Sequence, residues 1–244
     1  MRNSILLLLL TLFSTTYSQN NDSTVENLST IKKKSSFKDN FSMGFHLSPT
    51  ISWLDVKHDD LQTDGATITG GLGIVAEYNA TKLLSIVSGL NFSVPGGYVF
   101  DNASMTDADT KNNYRINYTT LELPILIRAN LTEDKKTAFY IQGGASVDYR
   151  FSASEFHKAA TYLLPDEKLN IKSLIDPFNF NYLVGFGTKQ KIFRKYYVFA
   201  EVNYKHSLSN IASEKGFTDI ARYTTTFVPE IHSGNMIFSF GVLF

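Results

Sequence analysis

Charged side chains recur inside segments that otherwise alternate between apolar and polar residues. Four are carboxylates and four are cations, in chain order Glu77, Glu122, Arg128, Asp148, Arg150, Lys189, Glu201 and Lys205. Carboxylates next to guanidinium or ammonium groups form strong, charge-assisted hydrogen bonds. Such a set of residues could line a pore or close it with ion pairs.

Nucleophilic catalysis would need a base and a nucleophile within hydrogen-bond reach. The candidate base is His206, with Ser88 or Ser207 as the nucleophile. His206 and Ser207 are consecutive and point to opposite faces of a strand, so they do not converge. The chain contains no cysteine and none of the P-loop, G-x-S-x-G or H-E-x-x-H motifs. We expect no catalytic residues and no cofactor, and we interpret His206 as an interface residue.

The segments that carry the charges alternate with a period of two residues, which is typical of β-strands. In residues 121–131, Leu121, Leu123 and Ile125 fall on one face, and Glu122 and Arg128 fall on the other. Eight such runs follow residue 42, each of roughly ten residues, the length that a tilted strand needs to cross a bilayer.

The connections between these runs alternate between short and long. Short polar turns are predicted near residues 79–82, 132–136 and 189–195, and longer connections near 55–65, 96–114, 152–176 and 208–233. All the long connections therefore fall at one end of the sheet, as in an up-and-down arrangement of antiparallel strands. Short turns at one rim and long loops at the other are typical of an outer-membrane barrel.

Alternation alone fits a soluble barrel with an apolar interior as well as a membrane barrel with an apolar exterior. The polar face carries the eight charges and many glycines, which suits a narrow lumen. We therefore predict an all-β fold, an eight-stranded antiparallel up-and-down transmembrane β-barrel, whose lumen is closed by ion pairs. The aromatics predicted to lie at the two membrane interfaces are Trp53, Tyr78, Tyr149, Phe178, Tyr196, Tyr204 and Phe244.

The remaining segments predict export and location. Residues 1–18 combine Arg2, a short apolar run and small residues at 16 and 18, which is typical of a secretory signal peptide. Residues 19–40 are predicted to be a flexible periplasmic segment that leads into the barrel, here called the lead-in. Residues 41–244 are predicted to be the outer-membrane barrel domain.

The net charge of zero gives no indication of a nucleic-acid partner.

Three segments resemble the outer-membrane β-barrel domain of the PorT family, which is common in Bacteroidota-type bacteria. They are TTLELPILIRANL at 119–131, IQGGASVDYRF at 141–151 and the terminal FSFGVLF. The resemblance covers residues 43–244 and implies a place in the cell outer membrane. The terminal aromatic resembles the signal read by the barrel-assembly machinery. The family includes a component of the type IX secretion and gliding machinery, although most members have no assigned role.

From these observations we expect a non-enzymatic protein with a structural or interaction role, exerted through its external loops or lead-in. Its expected partners are outer-membrane lipid and lipopolysaccharide, the barrel-assembly machinery during biogenesis, and an unidentified protein. The alternatives are a part of the secretion and gliding machinery, and a small-solute transporter or lipid-modifying enzyme.

The segment 55–64 is rich in potential oxygen ligands, namely Asp55, His58, Asp59, Asp60 and Asp64. The ligand spacing of an EF-hand calcium loop is absent. We predict a solvated loop, or one that contacts divalent-bridged lipopolysaccharide, and no dedicated metal site.

Overall fold

The computed structural model describes residues 40–57, 61–101, 112–131, 136–157, 167–193, 196–213 and 229–244. The predicted signal peptide, the lead-in up to residue 39, and His58, Asp59 and Asp60 lie outside these ranges. Among the described residues, no helix has the length and apolar character needed to cross a membrane.

Nearly all of the described chain is β-strand. The strands are β1 (Phe41–Lys57), β2 (Leu61–Asn79), β3 (Leu84–Ser93), β4 (Gly96–Asp101), β5 (Asn112–Asn130), β6 (Thr137–His157), β7 (Glu167–Asn170), β8 (Phe178–Lys191), β9 (Tyr197–Ser207) and β10 (Glu230–Leu243), with one short 3-10 helix, η1 (Lys172–Leu174). Each pairing between neighbouring strands is antiparallel, which suits a chain that turns back on itself after every strand.

The strands close into a barrel because the first strand pairs with both the second and the last. Strands β3 and β4 form one wall between them, since both pair with β2 on one side and with β5 on the other. Strand β7 pairs only with the C-terminal end of β6, at residues 154–157. The result is a closed eight-stranded antiparallel barrel, which confirms the predicted fold.

The apolar face of each strand points out of the barrel. On β5, Ile125 and Ile127 are 61% and 63% exposed, whereas Leu126 and Arg128 between and beside them are 5% and 1% exposed. The same contrast holds on β8, where Phe186 is exposed and Leu183 is buried. A barrel whose large apolar side chains face outward while its charges face inward is built for a lipid surround.

The strands are longer than the sequence suggests, and this corrects the predicted long connections. Residues 61–65, 96–101, 152–157 and 167–170 belong to strands, although we predicted them as loops. Where a strand extends beyond the bilayer, neither of its faces needs to be apolar. The alternation of apolar and polar residues is therefore weaker there, although the backbone hydrogen bonds between strands continue. A bulge adds to this effect. Opposite Thr119 and Thr120, strand β6 carries the extra residue Phe151, which shifts its alternation.

Buried apolar side chains fill two levels of the lumen. The upper level lies near the long connections and comprises Leu54, Val99, Tyr118, Ala153, Ile171, Leu174, Ile211, Ala212 and Ile231. The lower level comprises Val75, Val87, Leu126, Leu183, Phe199 and Leu243. Along β5, Leu126 lies between the charged residues Arg128 and Glu122. Tyr118 of the upper level lies beyond Glu122 on the same strand.

Candidate functional site in the barrel lumen

An inner ion-pair cluster occupies the lumen toward the short turns; we define it as Glu77, Arg128, Lys189 and Glu201. Arg128 Nη1 donates to Glu77 Oε2 at 2.9 Å, and Arg128 Nη2 donates to Glu201 Oε2 at 3.0 Å. Lys189 Nζ donates to the other oxygen of Glu77 at 2.5 Å. Strands β2, β5, β8 and β9 each contribute one inward side chain, so the cluster ties together walls that are not neighbours.

Neutral side chains complete the coordination of Arg128. Its Nε donates to Gln142 Oε1 at 2.9 Å, and its guanidinium lies 3.9 Å from the centroid of the Tyr140 ring. The Tyr140 hydroxyl donates to Glu201 Oε2 at 2.8 Å, and Asn203 Nδ2 donates to the second oxygen of that carboxylate. Buried charges are tolerated when their remaining donors and acceptors are satisfied in this way.

An outer cluster lies nearer the long connections; we define it as Glu122, Asp148 and Lys205. Lys205 Nζ lies 3.3 Å from Glu122 Oε2 and 3.2 Å from Asp148 Oδ2. All three side chains are at most 3% exposed. Asn91 Nδ2 also donates to Glu122, at 3.4 Å. The ammonium group of Lys205 thus bridges the carboxylates of Glu122 and Asp148, and all three groups are buried.

Arg150 belongs to the predicted set but joins neither cluster through a salt bridge to a described carboxylate. Its Nη1 donates to the backbone oxygen of Asp176 at 3.1 Å. Its guanidinium lies 5.1 Å from the centroid of the Tyr118 ring. All eight charges predicted for the lumen therefore face inward, seven of them in two ion-pair clusters and Arg150 above them.

Strands β1 and β4, which lie on either side of β2, touch each other near the outer end of the barrel. Ser52 Oγ donates to Gly96 O at 2.7 Å and accepts from Gly96 N at 3.0 Å. Strand β4 can come this close to β1 because Gly97 has no side chain: a Cβ at Gly97 would lie 2.7 Å from Leu54 N. The lumen is closed here by backbone contact as well as by side chains.

A cavity of about 60 Å³ remains beside the two clusters, lined by residues that include His46, Asn91 and Asn235. His46 is fixed by Ser48, at 2.8 Å, and by Asn91, at 3.0 Å. The side-chain N and O of Asn235 and Glu122 Oε1, which have no protein partner among the described residues, belong to cavity-lining side chains. A space of this size suits a few water molecules beside those polar atoms, whereas pockets for organic ligands are about 300–1,000 Å³.

The predicted interfacial aromatics lie on the outer wall. Toward the long connections, the Trp53 ring stacks on that of Tyr204 at 6.2 Å, and the Tyr149 and Phe178 rings lie 5.3 Å apart. At the other end, Phe244 lies 6.0 Å from Phe45. Tyr196 is exposed there and Tyr78 is half-buried. Trp53 reaches Tyr204 across Gly234, where any Cβ would enter the indole ring.

The residues considered for catalysis do not come together. His206 is partly exposed beside the Tyr204 ring and stacks on His232 at 6.0 Å, whereas Ser207 is 1% exposed and donates to Asn179. Ser88 donates to the backbone oxygen of Pro124. Within the described ranges, no three His, Cys, Asp or Glu side chains are placed to share a metal ion. On the exposed rim, hydrogen bonds from His232 and Lys57 hold the pKa of Glu230 below its usual value.

Sequence reasoning missed the neutral part of this interior. Asn179 donates to Asn181, which donates to Ser146 at 3.2 Å, and these three side chains are buried. Their inward parity was readable in the sequence. Uncharged asparagine and serine side chains cannot be recognised in the sequence by their charge, however, and no residue spacing predicts a hydrogen-bond network between amides.

The sequence profile of the family described as "Outer membrane protein beta-barrel domain" matches residues 17–213. The chain belongs to this family. The protein is therefore an outer-membrane β-barrel protein, located in the bacterial outer membrane, as the lipid-facing wall predicts. A search of curated protein sequences finds no match.

Solved outer-membrane barrels are similar to the chain at low identity. Neisserial surface protein A has 10% identity and a TM-score of 0.43, with 84% of this chain and 96% of that chain covered. The outer membrane protease OmpT from Escherichia coli has 12% identity and a TM-score of 0.49, with coverage of 87% and 99%. OprG from Pseudomonas aeruginosa has 11% identity and a TM-score of 0.44, with coverage of 82% and 96%.

Proposed function

We propose that the protein is a non-conducting outer-membrane barrel with a structural or interaction role, which binds a protein partner through its external end. The observation that carries this proposal is the closure of the lumen at several successive levels. Ion pairs, an apolar layer and the β1–β4 contact follow one another along the barrel axis.

Conduction would require several of these levels to open together. The inner cluster alone holds three salt bridges, in which the side chains of Arg128 and Glu77 are 2% and 1% exposed. Removing one partner of a buried pair typically costs about 3–5 kcal/mol, so spontaneous opening is rare. An eight-stranded barrel has an interior just wide enough for side chains, which leaves no spare width for a solute path.

The external end offers the surface for a partner. Strand β6 has 21 residues and β5 has 19, whereas a tilted strand needs about 9–11 residues to cross the bilayer. The excess lies at the end away from the short turns, where β4 and β7 extend the same sheet. A rigid sheet that projects from the membrane can present a partner site without ordering a loop.

Site-specific photo-crosslinking in intact cells tests the interaction role. A photoreactive residue replaces Lys168, which is exposed on β7, and the matched control replaces Ile125, which faces lipid. Protein adducts are expected at Lys168 and not at Ile125. Because β7 tops the external sheet, the absence of protein adducts there and at neighbouring exposed sites of β6 would refute the interaction role.

Planar-bilayer recording tests the closed lumen separately. The purified full chain is expected to show no steady conductance, with a porin as the positive control in the same lipid. Regular unitary currents that depend on protein concentration would reverse the proposal in favour of small-solute transport.

A role in type IX secretion or gliding is the second candidate, favoured by the resemblance of residues 119–131 and 141–151 to the PorT family. A deletion strain is then expected to lose secretion or gliding, and normal secretion and gliding would exclude this role.

We also propose that residues 1–18 direct export. N-terminal sequencing of the protein from outer membranes is expected to begin at or near Gln19, and a mature chain that retains residues 1–18 would contradict this.

A further inference from the structure

Five side-chain rings form a continuous surface on one side of the outer wall, near the long connections. They come from β8, β9, β10 and β1, which follow one another around the barrel, and we call them the ring cluster: Tyr182, Tyr204, His206, His232 and Trp53. Tyr204 stacks on Trp53 on one side and on His206 on the other, both at 6.2 Å. His206 in turn stacks on His232 at 6.0 Å, and the Tyr182 ring lies 5.5 Å from that of His206.

Strand register explains how the ring cluster forms. Trp53 pairs with Gly234, Gly234 pairs with His206, and His206 pairs with Tyr182, so these four residues lie at one level across four strands. Gly234 has no side chain, and any Cβ at this position would enter the indole ring of Trp53. The indole therefore lies across β10, where a side chain would otherwise stand, and its ring is held in place before any ligand arrives.

The ring cluster concentrates hydrogen-bonding groups on one side of the barrel. It contains one indole N–H, two phenol hydroxyls and two imidazoles, and all five side chains are at least partly exposed. The other ring pairs toward the long connections are Tyr149 with Phe178, and Phe92 with Phe151. These two pairs contain a single hydroxyl and no ring nitrogen. Anchoring in a membrane interface requires aromatic rings around the whole barrel, and it does not explain this one-sided set of polar groups.

Carboxylates border the ring cluster on its outer side. Asp55 is exposed on β1 and pairs with His232 across β10. Glu230 lies 2.9 Å from His232 Nε2 and 3.2 Å from Lys57 Nζ. Because Lys57 is already paired with Glu230, the border offers no free cation to a phosphate group when the imidazoles are neutral. Carboxylates accept hydrogen bonds, so this border suits a ligand that presents hydroxyl groups.

We propose that the ring cluster docks a sugar ring of the outer-leaflet glycolipid, lipopolysaccharide. The exposed aromatic faces contact the apolar C–H face of the sugar, and Asp55 accepts from its hydroxyl groups. His206 Nδ1 lies 3.3 Å from the Tyr204 hydroxyl, which leaves Nε2 as the ring nitrogen that can contact the sugar. Aromatic rings with polar edges suit a surface that is apolar on one side and wet on the other.

The position of the ring cluster selects this occupant. The rings lie on the wall that faces lipid, at the end of the barrel that carries the long connections. The sugars of an outer-leaflet glycolipid begin at this level, directly beside the lipid that already covers the wall. The protein-partner site proposed above lies instead on the extended ends of β5 and β6, so the two proposals can fail independently.

The fluorescence of Trp53, the single tryptophan of the chain, reports binding directly because Trp53 belongs to the ring cluster. The purified full chain in detergent is titrated with purified lipopolysaccharide, with the same lipopolysaccharide after enzymatic dephosphorylation, and with phosphatidylglycerol of matched acyl-chain length. Both forms of lipopolysaccharide are expected to give a saturable change in emission that exceeds the change with phosphatidylglycerol. Equal responses to lipopolysaccharide and phosphatidylglycerol would show an interface anchor only, and loss of the response on dephosphorylation would show recognition of phosphate. Either result would overturn the proposal.

Two substitutions at partly or fully exposed positions test the polar contacts. His206→Phe keeps a ring in the stack but removes the imidazole nitrogens, and Asp55→Asn removes the charge of the acceptor. Each is expected to weaken lipopolysaccharide binding by about three- to tenfold. Tyr149→Phe is the matched control, because it removes the hydroxyl of an interfacial ring outside the ring cluster, and it should leave binding unchanged. Unchanged binding in both His206→Phe and Asp55→Asn, or an equal loss in Tyr149→Phe, would contradict the proposal.

Discussion

Replacing Glu77 by Gln should destabilise the barrel strongly, because Glu77 is the only carboxylate shared by two cations in the inner cluster. Its side chain is 1% exposed and accepts from Arg128 at 2.9 Å and from Lys189 at 2.5 Å. Glu77→Gln leaves Arg128 with Glu201 as its carboxylate partner and removes the carboxylate that Lys189 contacts. Breaking a buried pair in this way costs about 3–5 kcal/mol, and the amide oxygen of Gln regains about 1 kcal/mol through one hydrogen bond. The expected loss is about 2–4 kcal/mol.

The assay is urea unfolding of the barrel refolded into lipid vesicles, followed by the fluorescence of Trp53, the single tryptophan of the chain. Trp53 stacks on Tyr204 at the outer rim, so its emission reports loss of the folded wall. Glu230→Gln is the matched control, because the Lys57–Glu230 pair is exposed and such pairs contribute little. This variant should unfold like the wild type.

A double-mutant cycle with Arg128→Gln isolates the pairwise contribution. If the inner cluster works as described, Arg128→Gln costs less in the Glu77→Gln background than in the wild type, with a coupling of about 0.5–3 kcal/mol. Additive effects, or a Glu77→Gln variant within about 0.5 kcal/mol of the wild type, would refute the proposed role of the buried pair.

Three further substitutions test the outer half of the lumen in the same unfolding assay. Gly97→Ala places a methyl group against Leu54 and should cost about 1–3 kcal/mol, whereas Gly70→Ala, where nothing lies within 4 Å of the new Cβ, should cost nothing. Equal effects would contradict the close approach of β4 to β1. Ser52→Ala removes the acceptor of Gly96 N and should cost about 1–3 kcal/mol. Lys205→Met leaves Glu122 and Asp148 buried without the cation that they share and should cost about 3–5 kcal/mol. A variant as stable as the wild type would contradict the role of this ammonium.

The sequence was sufficient to predict the faces of the strands but not the contacts between them. Strand parity alone places Glu122 and Arg128 in the lumen, because successive side chains alternate. It cannot predict that Arg128 meets Glu77, 51 residues away, since that contact depends on the stagger of β2, β3 and β5 around the barrel. The pairing of charges is therefore a property of the closed barrel as a whole.

The missed strand segments have a related cause. Between the membrane interfaces, residues that face lipid must be apolar and residues that face the lumen can be polar. Apolar and polar residues therefore alternate clearly along each strand in this region. At residues 152–157 both faces meet polar surroundings or the cap around Leu54 and Tyr118, and the alternation weakens. The backbone there is still held by its pairing with β5 and β7. Hydrogen bonding to a neighbouring strand leaves no mark in the local sequence.

The buried charges also determine strand register. A slip of one residue in β5 would turn Arg128 and Glu122 into lipid and bring Ile125 and Ile127 into the lumen. A cation at the bilayer midplane costs about 2–4 kcal/mol, and the displaced side chain would lose its partners in the cluster as well. An entirely apolar lumen would have imposed no such penalty, because both faces of each strand would then tolerate lipid. The two ion-pair clusters therefore close the lumen and at the same time select the one register in which the barrel assembles.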